Sequence, residues 1–255
     1  MRVLSLGAGV QSTTLLLMAR EGELTFDCAI FADTEWEPAA VYRHLEWLES
    51  VSPMPIHRVG AGSIRKQTLA EGRRSASLPL YVRGPRGDGI GRRQCTKEYK
   101  LRPIQRKLRA MGATAASPVD IAIGFSLDEV ERMADSRVRY ARHVYPLVER
   151  RMTRGDCLTW LANCGYPEPM KSACIGCPYR RDSEWRKLTP AEFADAVDFD
   201  TRVRTHNQKL HGEQFVHRSM LPLADVDLRS EQDRGQLEMF EPMGCSPFGC
   251  RRDAA

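Results

Sequence analysis

The sequence predicts an α/β fold: a mostly parallel, roughly five-stranded sheet with helices on both faces, followed by a helical, cysteine-bearing C-terminal region. Two observations carry this reading. Short apolar runs alternate with longer amphipathic stretches, and the first run ends in a glycine turn that opens a helix. Residues 2–6 (Arg-Val-Leu-Ser-Leu) read as a buried strand and residues 12–20 as the helix after the turn. Residues 28–32 (Cys-Ala-Ile-Phe-Ala) read as a second strand. Residues 38–50 then form a helix, with Pro38 in its first turn and Val41, Leu45 and Leu48 on one face. Strands over 55–59 and 119–123 flank a helix over about 100–111. The Gly/Arg-rich stretch 72–94 lacks periodicity and reads as a long mobile loop of the kind that is often functional. Farther on, Thr153 and Asp156 give the pattern of a capping box for a helix over 153–163, and 190–211 reads as a long helix with a polar face. The division expected is an α/β domain over 1–150 and a helical region over 151–255 packed on it as one globular unit.

Composition narrows the class. The chain has 255 residues, 42% hydrophobic and 28% charged, which excludes a disordered, collagen-like or coiled-coil chain. No run approaches the roughly 18 apolar residues of a membrane span. The N-terminal apolar run breaks at Gly7, too soon for a signal-peptide core, so a cytoplasmic protein without a membrane partner is expected. The net charge is +5. Residues 83–109 hold ten Lys/Arg against Asp88 and Glu98, so this stretch carries +8 and the remainder −3. It reads either as a solvated basic face or as an anion site for phosphate, sulfate or nucleic acid. In a cytosolic chain with eight cysteines, Cys174-Ile175-Gly176-Cys177 points to a metal, a cluster or redox chemistry, and Cys28, Cys157 and Cys164 read as small buried residues.

The turn Ser5-Leu6-Gly7-Ala8-Gly9-Val10-Gln11-Ser12-Thr13 joins strand to helix, where backbone amides and a helix N-terminus can hold a phosphate. It lacks the lysine of a Walker A loop, and Ser12 occupies the third glycine position of a dinucleotide fingerprint. The pyrophosphate loop of the adenine-nucleotide α-hydrolases runs Ser-Gly-Gly-x-Asp-Ser. Gly9 and Ser12 match it, and Gly7, Ala8 and Gln11 depart from it.

Further motifs follow in order: Phe31-Ala32-Asp33-Thr34-Glu35-Trp36, then Cys95-Thr96-Lys97-Glu98-Tyr99-Lys100-Leu101-Arg102-Pro103-Ile104, then Gly124-Phe125-Ser126-Leu127-Asp128-Glu129-Val130-Glu131-Arg132, then Tyr145-Pro146-Leu147, and then Ser172-Ala173-Cys174-Ile175-Gly176-Cys177-Pro178. Over about residues 3–180 this series resembles the phosphoadenosine phosphosulfate (PAPS) reductase-like family of the pyrophosphate-loop (PP-loop) superfamily. The resemblance implies a PP-loop α/β fold and an adenine nucleotide bound by Ser5, Gly7, Ala8, Gly9, Gln11, Ser12, Thr13 and Gly124. It places Asp33 and Thr34 at the adenosine, with Trp36 as a candidate cover. Lys100 matches the family lysine, Arg93 and Lys97 lie near enough to share its charge, and Glu129 and Arg132 match a family Glu and Arg. Asp128 and Glu129 are candidate carboxylates for Mg²⁺ or water.

The cysteines resemble those of the iron–sulfur members. Cys95 aligns with the first of a Cys-Cys pair, and Thr96 replaces the second. Cys174 and Cys177 supply the later pair, leaving Cys250 or Cys245 as the fourth ligand. A [4Fe–4S] cluster, structural zinc and a metal-free redox pair all stay open. The family reductases end in Glu-Cys-Gly-x-His, which is missing here, and a neutral Gln11 stands where the α-hydrolases carry Asp.

Two functions follow from the resemblance and a third from the basic stretch. The first is hydrolysis of ATP at the α-phosphate to AMP and pyrophosphate, with adenylation of an acceptor for sulfur transfer. The second is PAPS or APS reduction with sulfite release, needing a thioredoxin-like reductant. The third is a nucleotide-sensing accessory protein that holds nucleic acid through residues 83–109. His57, His211 and His217, with Trp47, Trp160 and Trp185, read as structural side chains.

Overall fold

The computed structural model describes residues 1–70, 78–85, 87–206 and 212–230. Its centre is a five-stranded sheet of β1 (Arg2–Leu6), β2 (Cys28–Asp33), β3 (Ile56–Gly60), β6 (Val119–Ile123) and β7 (Ala141–Val144). The order is β3-β2-β1-β6-β7 and every pairing is parallel. The chain builds outward from β1 through α1 (Val10–Arg20) and α2 (Ala39–Val51), then crosses back to lay β6 on the other side of β1. The segments between β3 and β6 are α3 (Ile64–Thr68), the hairpin β4 (Tyr81–Gly84) and β5 (Gly87–Ile90), and a π-helical turn Thr96–Leu101 that runs into α4 (Arg102–Ala110). After β6 come a 3₁₀ segment Leu127–Arg132, β7, α5 (Pro146–Glu149), α6 (Arg154–Asn163), α7 (Asp182–Trp185), α8 (Pro190–Val203) and β8 (Glu213–Phe215).

Side chains alternate across the sheet as strand geometry requires. Leu4, Leu6, Ala29, Phe31 and Ala122 meet α1, α2 and α6 on one face. Val3, Cys28, Ile30, Ile121 and Ile123 meet Ile104 and Leu108 of α4 on the other. A third core gathers Trp36, Ile64, Tyr99, Cys174, Ile175, Trp185, Phe199 and Val216 beyond the end of β2. Its anchor is Asp200, 1% exposed, whose carboxylate accepts hydrogen bonds from Val216 N (2.9 Å), Leu223 N (3.0 Å) and the Arg204 guanidinium.

Most expected elements are present, and the differences have physical causes. The stretch read as a structureless loop contains the β4–β5 hairpin, extended by β8 into a three-stranded antiparallel sheet. All of β5 is exposed, so no apolar alternation marks it. Residues 72–77 and 86 of that stretch lie outside the described residues. β7 carries Arg142 and His143 in four residues and gives no buried-strand pattern. The long helix expected over 190–211 ends at Val203, where Gln214 caps it: its amide donates to Arg204 O (2.9 Å) and its side chain to Val203 O (3.2 Å). Residues 207–211, with His211, lie outside the described residues. Among the described residues no helix is long and apolar enough to cross a membrane.

One polar contact inside the first core makes stability depend on pH. Thr13, fully buried on α1, meets His44 Nε2 on α2 at 3.0 Å. Burial pushes the His44 imidazole down to about 4. The unfolded chain therefore takes up this proton first as pH falls. Stability is intact above about pH 6.5 and declines as pH drops towards 4, by an amount on the order of 3 kcal/mol. Urea unfolding across that window should show the decline, and His44→Gln should remove most of it.

Candidate functional site

The strand order reverses between β1 and β6. In open parallel sheets the crevice at such a reversal, beyond the carboxyl ends of the strands, is where ligands bind. A cavity of about 990 Å³ lies there, lined by Ser5 and Gly7 from the end of β1, Gly9, Gln11 and Ser12 from the turn and α1, and Ile123 and Gly124 from the end of β6.

The turn is built to leave the α1 N-terminus open. Its N-cap is Gly9, with no side chain capping the first-turn amides. Ser12 folds back instead, accepting from Gly7 N (3.1 Å) and donating to Gly9 O (3.3 Å). Ala8 takes a left-handed φ of 55° and is buried, so only a small side chain suits it. Gly124 has a different constraint: a Cβ there would stand 2.9 Å from Ser12 N and 3.2 Å from Gln11 C. Only a glycine lets the β6 end approach this turn without covering its amides.

The predicted nucleotide residues divide into two groups. Ser5, Gly7, Gly9, Gln11, Ser12 and Gly124 line the cavity. Ala8 and Thr13 do not; Ala8 is fully buried, and the Thr13 hydroxyl is turned to His44. Gln11 is a strut: its amide donates to Glu129 (3.0 Å) and Ser126 (3.3 Å), and its carbonyl accepts from Arg154 (3.3 Å). Glu129, 6% exposed, is also held by Arg132, whose guanidinium lies over the Phe125 ring. Asp128 accepts from Arg154 N at 3.1 Å, at the start of α6. Both carboxylates therefore serve to tie α1, the 3₁₀ segment and α6 together. Glu129 has both oxygens engaged, so this pair does not fit as a ready-made magnesium site.

The cavity is basic. Lys100, Arg132, Arg154, Lys171, Arg180, Arg181 and Lys187 line it against Glu129, Glu168 and Glu184. Only Lys100 of these comes from the basic stretch 83–109; Arg102, Arg106 and Arg109 are exposed on α4 and do not line it. The cations of the 154–187 segment carried no motif, and only their position in the fold brings them together.

Beside this cavity, at the end of β2, lies a buried polar cluster. Asp33 accepts from Glu35 N (2.7 Å) and Tyr42 Oη (2.8 Å) and shapes the turn into α2. Thr34 is 1% exposed, with its hydroxyl 3.1 Å from Cys174 Sγ. Neither Asp33 nor Thr34 lines the large cavity, although Thr34 lines a smaller one of about 40 Å³. Glu37 was not anticipated from sequence. Its side chain is 1% exposed and lies 3.8 Å from Lys100 Nζ, 3.3 Å from Ser172 Oγ and 3.9 Å from Cys174 Sγ. Burial works to lower the Lys100 ammonium, but Glu37 and the Cys174, Cys95 and Cys177 thiols outweigh it and hold it above its ordinary value. Lys100 and Ser172 line both cavities.

Cys95, Cys174 and Cys177 all line the small cavity, with Arg93. The π-helical turn brings Cys95 there together with Lys100: Arg102 N bonds to Lys97 O, five residues back. Burial and the neighbouring Cys177 push the Cys95 thiol up, against Arg93 and Lys100. Burial and Glu37 likewise raise Cys174. Among the described residues no three His, Cys, Asp or Glu side chains are arranged to hold a metal ion. The candidate fourth ligands, Cys245 and Cys250, lie outside the described residues. Among the described residues the three thiols share one cavity without forming a ligand cage.

The Cys174–Cys177 turn rests on Trp36. Ile175 N donates to Trp36 O (2.8 Å), and a Cβ on Gly176 would stand 2.2 Å from the indole. Trp36 is 4% exposed, packs on Phe199 at 4.6 Å and donates to Asp195 (2.6 Å), so it supports the cysteine turn instead of covering a nucleotide. Arg180, 5% exposed, clamps the same turn through the carbonyls of Ala173 (2.6 Å), Cys174 (3.0 Å) and Ile175 (3.0 Å).

No protein-family model and no curated protein matches the sequence. Among solved structures, the chain is similar to the crystal structure of a PAPS reductase from Candida auris in its phosphate complex. The two are 12% identical, with a TM-score of 0.42, over 66% of this chain and 74% of the other.

Two substitutions test the buried cluster. Glu37→Ala leaves the Lys100 ammonium without its counter-charge and should cost about 3 kcal/mol in urea unfolding. Gly176→Ala drives a methyl into Trp36 and should cost about 1–3 kcal/mol, with a shift in tryptophan fluorescence.

Proposed function

We propose that the chain is an adenine-nucleotide-binding enzyme that cleaves ATP between its α- and β-phosphates. The observation that carries this reading is the uncapped α1 N-terminus opening into a basic crevice at the β1–β6 reversal. A cavity of about 990 Å³ has room for a nucleotide and a second substrate. The preference for adenine rests on the order of motifs along the chain. The substrate is ATP as its magnesium complex.

In the step proposed, a nucleophile attacks the α-phosphorus and the bond to the bridging oxygen breaks. Pyrophosphate leaves with the bonding electron pair. The first-turn amides of α1 and the side chains of Lys100, Arg132 and Arg154 meet the charge that develops on it. Gln11, Glu129 and Asp128 act by holding those groups in register. With water as nucleophile the products are AMP and pyrophosphate; with an acceptor oxygen the products are pyrophosphate and an adenylated acceptor, from which a sulfur nucleophile can then displace AMP.

The test is incubation of purified protein with α-labelled ATP and Mg²⁺, followed by product separation. AMP and pyrophosphate are expected. Gly124→Ala, which places a methyl against Ser12 N, should weaken nucleotide binding at least about tenfold, or about 1.4 kcal/mol. Sulfite release from PAPS with a dithiol reductant, without ATP turnover, would replace this reading with a reductase. Nucleotide binding without either product would make the chain a nucleotide-sensing protein.

A further inference from the structure

His217 reads from the sequence as a structural side chain, but its neighbours in the fold give it more to do. After β8 the chain turns sharply over His217–Met220, where Met220 N donates to His217 O at 3.0 Å. Arg83 of β4 holds the far end of this turn by donating to Met220 O at 2.7 Å. His217 is 3% exposed, and both its ring nitrogens are engaged. Nδ1 lies 2.7 Å from Ser219 Oγ and 3.2 Å from Ser219 N, and Nε2 lies 3.1 Å from Asp182 Oδ1 at the start of α7. A backbone N–H can only donate, and a carboxylate can only accept. Nδ1 is therefore the acceptor and Nε2 carries the proton, so the Ser219 hydroxyl donates to the lone pair of a neutral imidazole. Burial works to raise the Asp182 carboxyl, but His217 and the Arg218 guanidinium, 3.2 Å from its other oxygen, outweigh it and keep the group ionised. Ser219 itself is exposed. Asp182, His217 and Ser219 do not line the nucleotide crevice, and the nucleotide reading leaves them unused. An exposed hydroxyl on a buried base, with the base oriented by a carboxylate, is the arrangement that makes a serine nucleophilic.

We infer that Ser219 is the nucleophile of a second, separate site that cleaves small acyl esters. The Ser219 oxygen attacks the ester carbonyl carbon while its proton passes to His217 Nδ1. Asp182 is a positioning residue: it accepts from Nε2–H and stabilises the imidazolium so formed. The tetrahedral intermediate collapses, the bond from the carbonyl carbon to the leaving oxygen breaks, and the alcohol departs with the proton from Nδ1. An acyl ester on Ser219 remains. Water then attacks that carbonyl carbon and gives a proton to Nδ1. The bond to Ser219 Oγ breaks, the proton returns to the serine oxygen and the carboxylic acid leaves. The sum is ester plus water to acid plus alcohol, with nothing oxidised or reduced. Ser219 stands at the surface, so the site suits small esters with a good leaving group.

The experiment uses two probes on the full chain. One is p-nitrophenyl acetate, followed by nitrophenolate release and a peptide map of the quenched protein. The other is a fluorophosphonate, which stays on the serine it modifies. Both should mark Ser219 at least about tenfold faster than any other serine of the chain. The same measurement on the chain unfolded in urea should lose that advantage. Neither reading needs a variant, so no folding defect can mask the result. Ser219→Ala, a change at an exposed side chain, should remove the label. Asp182→Asn should slow labelling at least about tenfold, and Asp182→Glu should recover part of the rate. The inference is overturned if the label falls elsewhere with Ser219 unmodified, or if Ser219 reacts no faster in the folded chain than in urea. Equal labelling of the wild type and Asp182→Asn would also overturn it, since the serine would then owe nothing to the carboxylate behind His217. None of these outcomes depends on whether ATP is cleaved.

Discussion

The close approach of the β6 end to the first turn of α1 is the contact on which the rest of the crevice depends. Gly124 has no side chain, so backbone meets backbone there. That closeness lets Gln11, the second residue of α1, reach across to Ser126 and Glu129. Through Gln11 and Asp128 it also positions Arg154 at the start of α6. A side chain at position 124 would push the β6 end away from the first turn of α1 and disconnect this chain of hydrogen bonds. The resulting arrangement is rigid and positive, with charge gathered before any ligand arrives. That is the condition under which electrostatic stabilisation of a departing phosphate is most effective.

Glu37 links this crevice to the cysteine cluster. A carboxylate buried this deeply needs a cation or several donors. It has Lys100, Ser172 and the Thr34 hydroxyl at 3.5 Å. Lys100 in turn lines both cavities, so its ammonium belongs to the phosphate side and the thiol side together. A change of charge on either side is felt by the other across this one residue. The third core supplies the rigidity: Trp36, Gly176 and Arg180 fix the backbone of the cysteine turn, so its thiols cannot drift from the carboxylate.

Strands β1, β2 and β6 were legible because they are buried on both faces and read as short, largely apolar runs. The hairpin 81–90 and β7 were not, because exposed or edge strands carry too few apolar residues to show a period. At the site, the glycine turn drew notice from its place between a strand and a helix and Cys174 and Cys177 from their spacing, whereas Lys100 and Cys95 were named only through the family resemblance. Thr13 and Trp36 were misplaced for one reason: each sits in a segment that carries motif residues, but its own side chain turns into a core. Glu37, Arg154 and Arg180 gave no signal, since an isolated charge in a sequence does not say what it will be buried against.

The helix between β5 and β6 shows how a local irregularity can decide a site. Cys95 and Lys100 are five residues apart. On a regular α-helix, five residues advance by roughly 500° and leave the two side chains about 140° apart, on different faces. A helix read from periodicity alone would separate the thiol from the ammonium. The π-helical turn over Thr96–Leu101 widens the backbone so that residues five apart come onto successive turns. Cys95, Thr96 and Lys100 then line one cavity while Tyr99 stays in the third core, its hydroxyl 2.8 Å from Gln67. Regular α4 begins only after the site residues have been placed, with Pro103 in its first turn. The extra residue in the turn is what lets one segment pack against the sheet and still present its thiol and its cation to the same space.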